Sequence, residues 1–189
     1  MNAILPFLVL YSFIVLQRMV ELRIAKRNEK WMKQQGAVEF GVKHYRFMVT
    51  MHLLFFASLF FEKTLLNKGL SPIWPLFLGV FLFAQLLRIW AISSLGKYWN
   101  TKIIVLANAD VIRQGPYRFI KHPNYFVVAM ELVIVPLLFN LYFTACLFTL
   151  LNVIMLMIRI PEEEKALREL TEYAATFQAC NRFLPKIVK

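Results

Sequence analysis

Long apolar runs separated by short polar segments dominate the chain. Three stand alone: about Ala3 to Val20, Phe47 to Leu66 and Ile73 to Leu95. Each is long enough for a membrane-crossing helix, which needs about 20 residues. The fourth run, Phe126 to Ile158, holds thirty-three residues. As one straight helix it would reach about 50 Å, against about 30 Å for a bilayer's hydrocarbon core. It is therefore expected to fold back between Pro136 and Asn140, where Pro136 lacks a backbone donor. The pattern predicts an all-α polytopic membrane protein, one domain with five transmembrane helices at about 3–20, 47–66, 73–95, 124–139 and 141–158. The last two form a helical hairpin, whose two ends lie on one membrane face. The polar segments before it, Gly115 to Tyr125, and after it, Arg159 to Glu164, should then meet in space, and the active site is expected there.

The polar segments have patterns of their own. Span one should continue as a helix past the membrane, because Leu22, Ile24, Ala25, Trp31 and Met32 are interleaved with charge. Gly36 and Gly41 mark the turn toward span two, and Asn67 to Pro72 reads as a short outer loop. Lys102 to Leu106 has β-branched character, and Asn108-Ala109-Asp110 and Gly115-Pro116 are turn-like. Irregular backbone cannot face lipid, so the stretch from Gly96 to Pro123 must lie at the surface or line a protein cavity. After Pro161 a helix is expected to resume, with Ala166, Leu167, Leu170, Tyr173, Ala174 and Phe177 on one face. Arg182-Phe183-Leu184-Pro185 is expected to end the ordered part.

Composition agrees with the pattern: 59% hydrophobic residues and a mean hydropathy of +0.57 exclude an ordinary soluble domain. A net charge of +11 could suggest nucleic acid, but its placement argues against that. Eight basic residues fall between spans one and two, five between spans three and four, and six from Arg159 onward. The other face has only Lys63 and Lys68, and Arg88 lies within a span. The positive-inside rule then puts the N-terminus outside and the C-terminus in the cytoplasm, most simply across a bacterial plasma membrane, with the basic face against anionic lipid. The first run has no basic n-region and no small-residue cleavage site, and is read as a retained helix rather than a signal peptide. Cys146, Cys180 and three scattered histidines give no metal spacing and no disulfide framework.

The candidate chemistry competes with plainer readings. Glu162-Glu163-Glu164 after Pro161 fits a helix N-terminus, where carboxylates favour the dipole. The functional reading rests on Arg159 at the membrane exit and on His122 and Tyr125 at the other foot of the hairpin. A guanidinium can grip a carboxylate, and a carboxylate can accept from an ammonium group or paired hydroxyls. Together they suit a zwitterionic amino-acid nucleoside. Arg118 and Lys121 also read as headgroup contacts, and Tyr117 and Tyr125 as interfacial aromatics. Within the spans, Arg88 and Glu131 are costly unless paired or facing a cavity. They pair with each other, or find separate partners, or Glu131 is protonated. His52 and Asn152 are expected to hydrogen-bond between helices.

Gly115-Pro116-Tyr117-Arg118, then Lys121-His122-Pro123 and Tyr125, a hydrophobic hairpin, and Arg159 with Glu163-Glu164 and Leu167 resemble the isoprenylcysteine carboxyl methyltransferase family. Upstream, Leu95-Gly96-Lys97-Tyr98-Trp99-Asn100-Thr101 looks like that family's Gly-x-x-Trp approach. The resemblance implies methyl transfer from S-adenosylmethionine to an oxygen of a lipophilic acceptor, with a cytoplasmic cofactor pocket. By position, Gly115, Pro116, Tyr117, His122, Pro123 and Tyr125 would line that pocket. Arg159 and Glu163 would orient its polar groups as the catalytic pair, with Glu163 and Glu164 also binding cofactor. Arg88 and Glu131 are the candidates for holding the acceptor, Arg88 or Arg159 stabilising its anion.

Some positions depart from the family pattern. Lys121 stands where arginine is usual, and Val127-Val128 where many relatives have Gly-Glu. Leu170-Thr171-Glu172-Tyr173 replaces the usual Phe-Gly and paired tyrosines. These differences point away from prenylcysteine. Phe119 to Phe126 and Arg159-Ile160-Pro161 look most like a bacterial branch. Some of its members are associated with type III polyketide synthases and O-methylate long-chain alkylpyrones. Two rivals remain: an NADPH-dependent membrane reductase of the sterol type, which shares a His-Pro-Asn-Tyr-Phe motif, and a non-enzymatic membrane scaffold.

Overall fold

The computed structural model describes residues 4–177 and 180–183. The expected start of span one at Ala3 and the tail end at Leu184-Pro185 lie outside the described residues. Helix α1, Ile4–Gln34, runs unbroken through the first apolar run and its charged extension. A three-residue strand β1, Val38–Phe40, precedes α2, Val42–Leu66. Helix α3 spans Trp74–Leu95. Strand β2, Ile103–Val105, and a 3-10 turn at Gly115–Arg118 lead to α4, Pro123–Leu138, and α5, Tyr142–Leu170. A one-turn α6, Tyr173–Thr176, closes the series. Four helices, α1, α2, α3 and α5, are long and apolar enough to cross a membrane. The sixteen residues of α4 reach only about 24 Å, short of the roughly 30 Å hydrocarbon core.

Helices α4 and α5 pack together as the expected hairpin. The reversal is tighter than the sequence suggested, because Pro136 lies inside α4 and the turn is Phe139-Asn140-Leu141. Asn140 takes a left-handed φ of 57°, which asparagine tolerates, and its side chain donates to the Gly69 carbonyl at 3.2 Å. The Leu141 amide donates back to the Pro136 carbonyl at 3.0 Å. The first turn of α5 is capped from outside: the Glu62 carboxylate of α2 accepts from the amides of Phe143 and Thr144, at 3.1 and 2.8 Å.

The plain reading of Glu162-Glu163-Glu164 as a helix start does not hold. Pro161 lies inside α5, and the helix continues to Leu170. Packing thus overrides a proline that costs one internal hydrogen bond. The continuity fixes Arg159, Glu163 and Glu164 on one rigid rod at helical spacing.

The β-like segment forms a real but minimal sheet. Strands β1 and β2 are antiparallel, with Val38 opposite Val105 and Phe40 opposite Ile103. Gly41, at φ 63°, turns β1 directly into α2. Lys102 and Lys33 bridge Glu29 and Glu39, tying α1 to both strands. The apolar core lies between the helices, among Phe7, Phe55, Leu59, Phe81, Phe139 and Phe148. Leu53, Leu65, Leu86, Ile89, Phe143 and Met157 instead point outward as an apolar jacket, as lipid-facing helices require.

Candidate active site

The two feet of the hairpin meet. The Tyr125 hydroxyl on α4 donates to Glu163 on α5 and accepts from Arg159 Nε at 2.8 Å. Arg159 Nη2 donates to the Thr101 carbonyl, which carries the segment between α3 and β2 into the site. Arg159 Nη1 is buried without a partner among the described residues. Beside this triad His122 Nε2 lies 3.1 Å from Glu164 Oε1, and the His122 and Tyr125 ring centroids are 5.4 Å apart. Glu164 is 2% exposed and holds Arg168 and both arms of Arg182. The polypeptide around Arg182 also lies along the entry to α4, with amides of Lys121 and His122 donating to the carbonyls of Asn181 and Arg182.

Two cavities meet at this cluster. The smaller, about 160 Å³, is walled by β2, the loop after it, Tyr173 and Phe177. The larger, about 620 Å³, extends between α1, α2 and α5. Tyr117, Lys121, His122, Glu163, Asn100 and Lys102 line both. Small-molecule sites usually enclose roughly 300–1,000 Å³, so an occupant of the smaller cavity must also use the shared junction. Burial first, and then the Glu163 charge, push the Tyr117 phenol above its ordinary pKa. Burial does the same to Tyr173, with Glu164 and Glu163 adding to it. Both phenols therefore remain protonated donors at neutral pH, and the Tyr173 hydroxyl has no partner among the described residues.

The sequence model of the isoprenylcysteine carboxyl methyltransferase family matches residues 77–169, from α3 to the end of the glutamate-bearing part of α5. A Bacillus subtilis (strain 168) protein printed as "Uncharacterized protein YpbQ" is 46% identical over 163 residues, 86% of this chain and 97% of that protein. A Haemophilus influenzae protein, printed as "Uncharacterized protein", is 26% identical over 161 residues, 85% of this chain and 94% of its own. The chain belongs to the isoprenylcysteine carboxyl methyltransferase family. With its apolar helices, that makes it an integral multi-pass membrane protein of a methyltransferase family whose members generally use S-adenosylmethionine. The match does not favour the reductase reading.

Not every residue carried over from the family pattern reaches a cavity. Tyr117, His122, Tyr125, Arg159 and Glu163 do. Gly115, Pro116, Pro123 and Glu164 line neither. Gly115 has φ 56°, and a Cβ there would lie 2.0 Å from Ser94 Oγ, so this glycine lets the loop press against α3. Pro123 starts α4, and Glu164 anchors the chain at Arg182.

Arg88 and Glu131, expected to hold the acceptor, also line neither cavity. They pair with each other within a larger buried cluster. Arg88 Nη1 reaches both oxygens of Glu21, at 3.0 and 2.9 Å, and Arg18 bridges Glu21 and Glu131. Gln17 and Gln85 donate to Glu21 and Glu131 at 2.9 and 2.6 Å. The members facing the larger cavity are Arg18 and Glu21. The charge pattern hides them, because Arg18 falls among the eight basic residues between spans one and two, although Gln17, Arg18 and Glu21 lie within one turn or so of helix.

His52 and Asn152 do not bond between helices as expected. His52 Nδ1 lies 2.8 Å from its own helix's Met48 carbonyl. Asn152 has no side-chain partner among the described residues, and both residues line the larger cavity.

Proposed function

We propose that the protein transfers a methyl group from S-adenosylmethionine to an oxygen of a lipophilic acceptor taken from the bilayer. The favoured acceptor is a long-chain alkylpyrone enol, as would arise from a type III polyketide synthase, with an isoprenylcysteine-like carboxylate second. The observation that supports this most is the junction of the two cavities at Tyr117, His122 and Glu163. One cavity is lined by loop backbone, tyrosines and a carboxylate, and the other is largely apolar and runs among the helices. A zwitterionic nucleoside suits the first and a lipid tail the second.

When bound, the cofactor would supply an activated methyl on a sulfonium, so the protein's work is alignment and exclusion of water. Glu163 is held by Tyr125 through one carboxylate oxygen and lines both cavities, and its other oxygen would hold an ammonium or ribose hydroxyl. The unpartnered Tyr173 hydroxyl fits a further polar atom of a nucleoside in the smaller cavity. Arg159 and Trp99 line the larger cavity and keep Nη1 and Nε1 buried without partners among the described residues, which suits them to an acceptor oxyanion. A pyrone enol or a carboxylate is already nucleophilic when ionised, so no strong general base is required. The asymmetry of basic residues supports a cytoplasmic junction, an outside N-terminus and a basic face against anionic headgroups.

Calorimetry of the detergent-solubilised protein with S-adenosylhomocysteine and with NADPH tests the reading. Binding of the first alone, and labelled methyl transfer to a long-chain alkylpyrone, are expected. Binding of NADPH alone would reject it.

A further inference from the structure

The larger cavity has a polar belt well above the reaction level. Three contacts mark that level: Asn100 to the Ala25 carbonyl on α1, Tyr45 on α2 beside Thr101, and Arg159 on α5 with the Thr101 carbonyl. Seven residues further along each helix, in the direction of the bundle interior, stand Arg18, His52 and Asn152. Seven residues are two helical turns, about 10 Å. All three line the same cavity.

Each of the three has hydrogen-bonding capacity left. The His52 ring uses one nitrogen on Met48, leaving Nε2. The Asn152 amide engages nothing among the described residues, although Asn152 is only 4% exposed. Arg18 gives Nη1 and Nη2 to Glu21 and Glu131 and keeps Nε. An unbonded amide and a half-bonded imidazole in the bilayer interior are costly unless a partner visits.

We infer that this belt is a second polar subsite, one that binds a neutral oxygen function carried by the acceptor about 10 Å from the oxygen that is methylated. The inference rests on the methyl-transfer reading only for the identity of the first oxygen. The occupant is neutral because Arg18, Arg88, Glu21 and Glu131 already balance, two cations against two anions. A further ion at that depth would have no counter-charge. A hydroxyl, ketone or amide carbonyl in an acyl chain has no partner in lipid and gains one here. The α1 and α2 walls of the belt lie outside the segment matched by the family model. Selectivity at this level is therefore shared between Asn152 on α5 and the N-terminal helices.

The test uses a matched pair of probes: a long-chain alkylpyrone, and the same molecule carrying a hydroxyl about 10 Å along its chain. Binding of each to the full-length protein in detergent is measured directly by calorimetry. The hydroxylated probe is expected to bind about tenfold more tightly. That ratio should fall to near one in Asn152→Leu and in His52→Phe. Equal affinities for the unsubstituted protein would overturn the inference and leave the belt to water. A preference that survives both substitutions would overturn it too, because the hydroxyl would then sit elsewhere. Absence of S-adenosylhomocysteine binding would remove the methyl-transfer reading, while the ratio between the two probes would still decide the subsite.

Discussion

The mid-bundle cluster of Arg18, Glu21, Arg88 and Glu131 and the hairpin-foot cluster of Tyr125, Arg159 and Glu163 use the same kinds of side chain. They differ in how fully their carboxylates are engaged and in which cavities they border. In the first, both carboxylates are saturated by two guanidiniums and two glutamine amides, and Arg88 is 1% exposed. In the second, the Glu163 carboxylate meets only the Tyr125 phenol, which itself accepts from Arg159, and Arg159 keeps a buried nitrogen without a partner among the described residues. The first knits α1, α3 and α4 together, whereas the second opens onto two cavities. Burial and charge alone do not mark a functional site; a carboxylate with acceptor capacity to spare, where two cavities meet, sets the second cluster apart.

The sharpest way to break this contrast is to remove Arg88. Arg88→Leu leaves two buried carboxylates sharing Arg18, and should lower stability by about 3–5 kcal/mol in detergent denaturation. A loss below about 1 kcal/mol would mean that water reaches the cluster and that it resembles a surface network.

Glu163→Ala should do the opposite: keep the fold and weaken S-adenosylhomocysteine binding. Loss of one charged hydrogen bond is worth about 1.5–3 kcal/mol, or roughly ten- to hundredfold in affinity. Unchanged affinity with unchanged stability would remove Glu163 from the site.

Arg159→Lys keeps the charge and loses the fork that joins Tyr125 and Thr101. A fall in kcat/KM of about tenfold, or about 1.4 kcal/mol, is expected for labelled methyl transfer. Equal rates and equal Michaelis constants would reduce Arg159 to a structural link between α5 and the Thr101 segment.

The smallest effect belongs to the exposed bridges of Lys33 with Glu29 and Glu39. Lys33→Ala should change stability by less than about 1 kcal/mol, because solvent screens such pairs. A larger loss in the same denaturation series would show that the β1–β2 sheet depends on them.

Much of the arrangement follows from the sequence alone. A thirty-three-residue apolar run is too long to cross once, so its polar ends had to converge, and His122, Tyr125, Arg159 and Glu163 do. The β-branched run at Ile103 was readable as a strand because local propensity acts over a few residues. Tertiary structure decided the rest. The partner of β2 lies more than sixty residues upstream at Val38–Phe40, a pairing no local signal encodes. Packing carried α5 through Pro161, where local rules place a break. The role of Glu164 depends on Arg182, eighteen residues further along the chain. Arg88 and Glu131 were marked in the sequence by their cost in a membrane. Their partners Arg18 and Glu21, and the cavity that these two face, depend on how α1 rotates and packs against α3 and α4. Periodicity sets the face of a helix, but only its neighbours determine what that face meets.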